Sequence, residues 1–172
     1  TAHAVLDELG QYLLDSDQIL DGGPCEVGVE STIIDCTADL PRILRPGAIT
    51  LEMISDSTQL PVHSLVYEGA PAKNEIRVSG SLESHYAPEA MVVLDQEPIA
   101  GQGFIAASRR VTPTGVTRLA APKDVDEFAR DLYSALRKAD ELGLAEVVVE
   151  QPQGDGLAIA IRDRLERASK GR

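Results

Sequence analysis

Apolar and polar positions follow two different rhythms along this chain. Near its start Val5, Leu6, Leu9 and Leu13 recur at helical spacing, which predicts a helix over residues 2–14 with the Thr1 hydroxyl as a cap. Asp21-Gly22-Gly23-Pro24 then forces a turn, and the β-branched stretch from Val29 to Cys36 predicts a strand with a buried apolar centre. Arg42-Ile43-Leu44-Arg45 predicts a second, short strand that stops at Pro46-Gly47. Thr50 follows as the cap of a short helix carrying Leu51, Met53 and Ile54.

No period holds between residues 61 and 90, where Pro61, Gly69, Pro71, Gly80 and Pro88 interrupt the chain. A stretch of that length reads as a linker or as a loop with a task of its own. From Met91 strands alternate with helices. Met91–Leu94, Phe104–Ala107 and Val116–Leu119 predict strands, and Asp124 opens a helix to about Leu142 with Val125, Phe128, Leu132, Leu136 and Ala139 on one stripe. Glu127, three residues after the cap, completes a capping box. The three valines within Leu144–Val149 predict a strand buried on both faces. An amphipathic helix over Leu157–Ser169, with Ile161 and Leu165 inward, ends the chain. Gly154-Asp155-Gly156 before it reads as a turn, because the Gly-x-Gly-x-x-Gly context of a phosphate loop is missing. The alternation predicts a small parallel or mixed sheet with helices packed on it. The expected organisation is therefore α/β throughout, with a first unit over 1–60, a linker over 61–88 and a small Rossmann-like α/β unit over 89–172.

Composition narrows the function. The 172 residues are 43% apolar and 26% charged, an ordinary globular balance that can furnish a core. No apolar run approaches the ~20 residues that span a bilayer and no signal peptide is visible, so a cytoplasmic protein without a membrane partner is expected. The net charge of −12 and an aromatic content of 3% without Trp disfavour direct tight binding to nucleic acid. Cys25 and Cys36, the only cysteines, sit in no C-x-x-C pair, which removes zinc ribbons and disulfide scaffolds. Charge is unevenly spread: residues 1–60 hold eleven carboxylates against Arg42 and Arg45 alone. An anionic ligand on that segment would have to meet Arg45, backbone N–H groups or cations from elsewhere in the fold.

The stretch "LDGGPCEVGVESTIID" at 20–35, followed by "ILRPGAIT" at 43–50, resembles the C-terminal portion of the YrdC-type catalytic domain of threonylcarbamoyl-AMP synthases. In two-domain members of that family a linker ends in a His-Tyr-Ala/Ser-Pro motif, here His85-Tyr86-Ala87-Pro88. A smaller α/β domain follows, whose last helix "GLAIAIRDRLERAS" resembles. The resemblance implies an adenylyl-transfer reaction in which threonine is carboxylated from bicarbonate and the new carboxylate attacks the α-phosphorus of ATP, expelling pyrophosphate. A separate threonylcarbamoyl transferase then modifies an adenosine beside the anticodon of tRNA, which leaves the synthase no need to hold tRNA itself.

The resemblance also implies binding roles for particular residues and leaves the catalytic residues unknown. Ser31 corresponds to a residue contacting threonine, with Thr32 as its neighbour; a hydroxyl can both donate and accept, although alternation along a strand points the two to opposite faces. Arg45 corresponds to a ligand of the nucleotide phosphates, a task suited to a planar guanidinium. Tyr86 and His85 correspond to the linker motif that folds back over the nucleotide. Thr1 corresponds to a position at a helix start that approaches the nucleotide, where free N–H groups favour phosphate. Mg²⁺ is expected with the ATP, its ligands not identifiable here. The Lys-x-Arg and Ser-x-Asn motifs of the N-terminal part of the catalytic domain are not in this chain, so it is expected to need that segment as a partner and to be inactive alone. An alternative reading is a binding module, without its own catalysis, that gates a nucleotide site made elsewhere. A hydrolase sharing the catalytic fold is a third.

Overall fold

The Thr1 hydroxyl accepts the Ala4 N–H at 3.3 Å and opens helix α1, Ala2–Leu9. The computed structural model describes residues 1–37, 39, 41–60, 66–67 and 88–170, the pair 66–67 by backbone alone. A 3-10 turn at Gly10–Tyr12 replaces the last predicted turn of α1, and Leu13 is already extended. The apolar stripe gains little burial that could prolong the helix, since Val5, Leu6 and Leu9 are 40%, 53% and 49% exposed.

Strand β1, Ile33–Asp35, pairs antiparallel with β2, Arg42–Arg45. Strand β3, Val66–Tyr67, adds parallel to β2 and falls inside the stretch expected as linker. Helix α2, Leu51–Thr58, is capped as predicted, the Thr50 hydroxyl accepting the Met53 N–H at 3.3 Å. Ile43 and Ile54 bury together, with Ile34 and Leu51 against them.

The second sheet contains β4 (Met91–Leu94), β5 (Gly103–Ile105), β6 (Thr117–Ala120) and β7 (Glu146–Val149). All its pairings are parallel, in the order β4-β7-β5-β6. Helix α3, Val125–Glu141, returns the chain from β6 to β7, and helix α4, Leu157–Ser169, packs on β4 and α3. The α3 start is a capping box displaced by one residue: Asp124 accepts the Glu127 N–H, while the Glu127 carboxylate reaches the Lys123 N–H, both at 2.7 Å. Val147, Val148 and Val149 are all at most 1% exposed, as a strand covered on both faces requires. Val147 and Val149 join Leu132, Leu136, Ile161 and Leu165 in the main core, whereas Val148 clusters with Phe104 and Ala106. The α/β expectation holds: a mixed sheet with one helix, then a parallel Rossmann-like sheet.

Val29 packs against that main core. This explains why β1 is shorter than the Val29–Cys36 strand read from the sequence. Residues 28–32 are occupied in docking the two sheets together, and ladder pairing starts only at Ile33.

Candidate functional site

Arg45 ends β2 opposite Ile33, which brings its guanidinium beside Ser31, two residues before β1. Its Nε donates to the Ser31 carbonyl at 3.0 Å and its Nη2 to Ser31 Oγ at 3.1 Å. The backbone makes this approach possible at Gly47. A Cβ there would stand 2.3 Å from the Glu30 carbonyl oxygen and 2.5 Å from Ser31 C and Thr32 N, so the turn after Arg45 fits under Glu30-Ser31-Thr32 only without a side chain. The Ala48 N–H closes the contact on Glu30 O at 3.3 Å.

Ser31 and Thr32 then take different partners, although neither lies in a strand. The Thr32 hydroxyl donates to the Ile49 carbonyl at 2.5 Å, bracing the same turn. Ser31 is exposed, and its oxygen accepts from Arg45, which leaves its hydrogen available to an incoming acceptor. Arg45 itself is 7% exposed. Burial depresses its pKa first and the nearby Arg164 charge second, while the Glu30 carboxylate works in the opposite direction.

Glu30 faces the other way. Its carboxylate accepts from Arg164 Nε at 2.6 Å and from the Tyr133 hydroxyl at 3.0 Å. Burial alone would raise this carboxyl, but the hydrogen bond and charge of Arg164, with help from Tyr133, outweigh it and hold the group below its ordinary value. Burial, seconded by the Glu30 charge, pushes the Tyr133 phenol up, so it stays a neutral donor. Arg164 also donates to the Pro46 carbonyl at 3.2 Å and to Asp163, which Arg167 grips through Nε and Nη2 at 3.1 Å each. One buried guanidinium from α4 thus touches both sides of the Ser31–Arg45 contact. Gly28, at φ 81°, completes the joint: a Cβ there would lie 2.3 Å from the Ala129 carbonyl of α3.

Thr1 lies elsewhere, on a cavity of about 540 Å³ between α1, the loop around Cys25 and α3. Tyr133, whose hydroxyl donates to Glu30, lines that cavity too. His85 and Tyr86 lie outside the described residues. Sequence reasoning missed Glu30, Tyr133, Asp163, Arg164 and Arg167 as site elements. A signal was present for Arg164, which falls three residues after Ile161 and directly before Leu165, on the stripe read as inward.

A family model described as "Threonylcarbamoyl-AMP synthase, C-terminal domain" matches residues 49–170. The chain belongs to this family. The Threonylcarbamoyl-AMP synthase of Bacillus subtilis is 34% identical over 172 aligned positions, covering 90% of this chain and 49% of that protein. The crystal structure of P. abyssi Sua5 complexed with L-threonine superposes with a TM-score of 0.79 at 29% identity, over 99% of this chain and 53% of that one. A variant of P. abyssi Sua5 with a consecutive His and Tyr both changed to alanine gives 0.68 at 27% identity, over 87% and 47%. The chain spans about half the length of the curated relatives it matches. Within the threonylcarbamoyl-AMP synthase family domain at 49–170 lie Tyr133, Asp163, Arg164 and Arg167, whereas Glu30, Ser31 and Arg45 precede it. The Glu30–Arg164 contact therefore ties the matched domain to the Glu-Ser-Thr segment in front of it.

Among the described residues no group of three or more His, Cys, Asp or Glu side chains could hold a metal ion. No helix among the described residues is long and apolar enough to cross a membrane.

Proposed function

We propose that this chain works in a cytoplasmic threonylcarbamoyl-AMP synthase, within which residues 1–60 form part of the catalytic domain, 61–88 the linker and 89–172 the small α/β domain. Threonine, bicarbonate and ATP are the substrates. The threonine nitrogen bonds to the bicarbonate carbon with loss of water, and a carbamate oxygen then bonds to the α-phosphorus as the bond to pyrophosphate breaks. A transferase passes the threonylcarbamoyl group on to tRNA. The observation that supports this reading is the Arg45–Ser31 contact, in which the Ser31 oxygen accepts and its hydrogen is left for another acceptor. That hydrogen suits a threonine oxygen, and the likeness to a protein solved with L-threonine supports the assignment.

The other roles follow from position. Two of the five Arg45 N–H groups hold Ser31, and the guanidinium is assigned to the nucleotide phosphates as a planar donor that suits them. Thr32 acts by holding the turn, and Thr1 sets the start of α1 towards the nucleotide. His85-Tyr86 is the sole consecutive His-Tyr in the sequence, and its role as the cover of the site is supported by the choice of such a pair for alteration in P. abyssi Sua5. Residues 1–60 carry only Arg42 and Arg45 as cations, few for ATP with its roughly four negative charges, so activity is assigned to this chain together with a further segment.

The test is threonylcarbamoyl-AMP formation from labelled threonine, bicarbonate and ATP, by protein expressed from the reading frame that encodes these residues. Ser31→Ala should raise KM for threonine about tenfold or more, as loss of one hydrogen bond to a charged group implies, and leave KM for ATP nearly unchanged. Arg45→Ala should impair both substrates. Unaltered kinetics in both variants would defeat the assignment, and turnover by residues 1–172 alone would defeat the need for a further segment. ATP binding that survives Arg45→Ala, without turnover in any form, would favour the gating module.

A further inference from the structure

The parallel sheet has a second crevice that the proposed reaction does not use. The connections that follow β7 and β5 lead in opposite directions across the sheet: the one after β5 runs outward to β6, whereas the one after β7 leads to α4 on β4. In open α/β sheets the carboxyl ends of strands at such a reversal leave a hollow between diverging loops. Here that hollow is a cavity of about 230 Å³ lined by Ala107 and Arg109 after β5, Lys123 and Asp124 after β6, and Glu150 and Gln151 after β7, with Phe128 also in its lining.

Its walls are held rigid. Arg118 on β6 spends five donor contacts on the loop beside it, reaching the carbonyls of Ala106, Ala107, Arg110 and Ala120 and the Thr112 hydroxyl, and it stacks 4.9 Å over the Phe104 ring. Asp95, at φ 53° where only Asp, Asn and Gly sit readily, accepts both the Gln151 N–H and Gln151 Nε2 at 2.8 Å. A carboxylate only accepts, so this contact decides which end of the amide is nitrogen. Gln151 Oε1 is thereby left buried, and it is the one buried side-chain polar atom without a hydrogen-bond partner among the described residues. Arg109 and Lys123 pair with no carboxylate among the described residues.

We propose that this crevice binds a small zwitterion of the α-amino-acid class, its carboxylate toward Arg109 and Lys123 and its ammonium toward the Glu150 carboxylate, which Arg110 Nε meets at 3.1 Å and holds in place. Cations and acceptors line the same hollow, which an anion or a cation alone would satisfy only in part. The volume lies below the ~300–1,000 Å³ of sites for larger ligands, and the turns lack a glycine-rich phosphate fingerprint, so a dinucleotide does not fit. The site is independent of the threonine contact at Ser31.

The experiment is an NMR titration of the 172-residue chain with glycine, L-threonine, acetate and methylamine as separate probes. Glycine and L-threonine should give saturable shifts at backbone amides of residues 107–110, 122–125 and 150–153, and acetate and methylamine markedly weaker ones. Arg109→Gln with Lys123→Gln, both exposed, should weaken amino-acid binding about tenfold, as two exposed ion pairs imply, with the remaining spectrum unchanged. Acetate binding as tightly as glycine, shifts confined to the neighbourhood of Ser31, or no saturable shift with either amino acid would each overturn the proposal. Loss of threonine binding at Ser31 with glycine shifts intact in the crevice would sink the reaction assignment and leave this one standing.

Discussion

Arg164→Met should loosen the joint that carries the Ser31–Arg45 contact. The side chain is 4% exposed and its guanidinium serves Glu30, Asp163 and the Pro46 carbonyl, while methionine keeps most of the buried methylene length. Removing one partner of a buried ion pair costs about 3–5 kcal/mol. Glu30 is 26% exposed and keeps Tyr133, and Asp163 keeps Arg167, so solvent and the remaining partners recover part of that loss. About 2–4 kcal/mol remains, a large share of the ~5–15 kcal/mol that holds a domain together. Glu30→Gln keeps an acceptor for both partners and should cost about 1–2 kcal/mol. The informative quantity is the double variant, because once Arg164 is gone the Glu30 charge is a liability, so the combined cost should fall short of the sum by about 1–2 kcal/mol. Urea unfolding of the four proteins at neutral pH and low salt reads this directly, with Arg164→Met moving the midpoint down by about 1–2 M. Additivity within about 0.5 kcal/mol would refute the idea that these two residues form one anchor.

Other outcomes follow from the same geometry. Gly47→Ala should destabilise by about 3 kcal/mol or more, since its Cβ would meet only backbone, and should abolish product formation by the expressed enzyme; a folded, active variant would show that the turn does not need glycine. Gly28→Ala combines a φ of 81° with a Cβ 2.3 Å from Ala129 O, and should likewise lower the urea midpoint. Glu30 is held below its ordinary 4.5, so its contribution is complete above about pH 4.5 and is lost as pH falls through the lower folded value. Unfolding free energy measured from about pH 6 down to 3 should therefore fall more steeply in the native chain than in Glu30→Gln; parallel curves would contradict the assigned linkage. Arg118→Lys should lower the midpoint and broaden the amide signals of residues 106–112, because an ammonium offers three donors where the guanidinium satisfies five acceptors.

The second sheet was legible in the sequence because its signals are local and repeated. Asp124 with Glu127, the three consecutive valines and the stripe of α4 each name an element with little help from neighbours. The first sixty residues were legible less completely. Val29 to Thr32 are β-formers by composition, yet Val29 is taken into the core under α3 and α4, Glu30 by Arg164 and Tyr133, and Ser31 by Arg45, all partners far away in sequence. Local propensity cannot register those competitors. From the sequence Ser31 and Arg45 were assigned to different ligands, whereas the fold joins them by two hydrogen bonds. Arg164 was hidden because a charged residue on an apolar stripe is counted as a defect until its carboxylate partner arrives from 134 residues earlier.

A crystal structure with L-threonine bound, of protein expressed from the reading frame that encodes this chain, tests the central claim most directly. The account predicts a threonine oxygen within about 2.7–3.0 Å of Ser31 Oγ, with the Arg45 guanidinium still donating to that oxygen from behind. Threonine bound only at another place, with the Ser31 hydroxyl facing empty solvent, would contradict it.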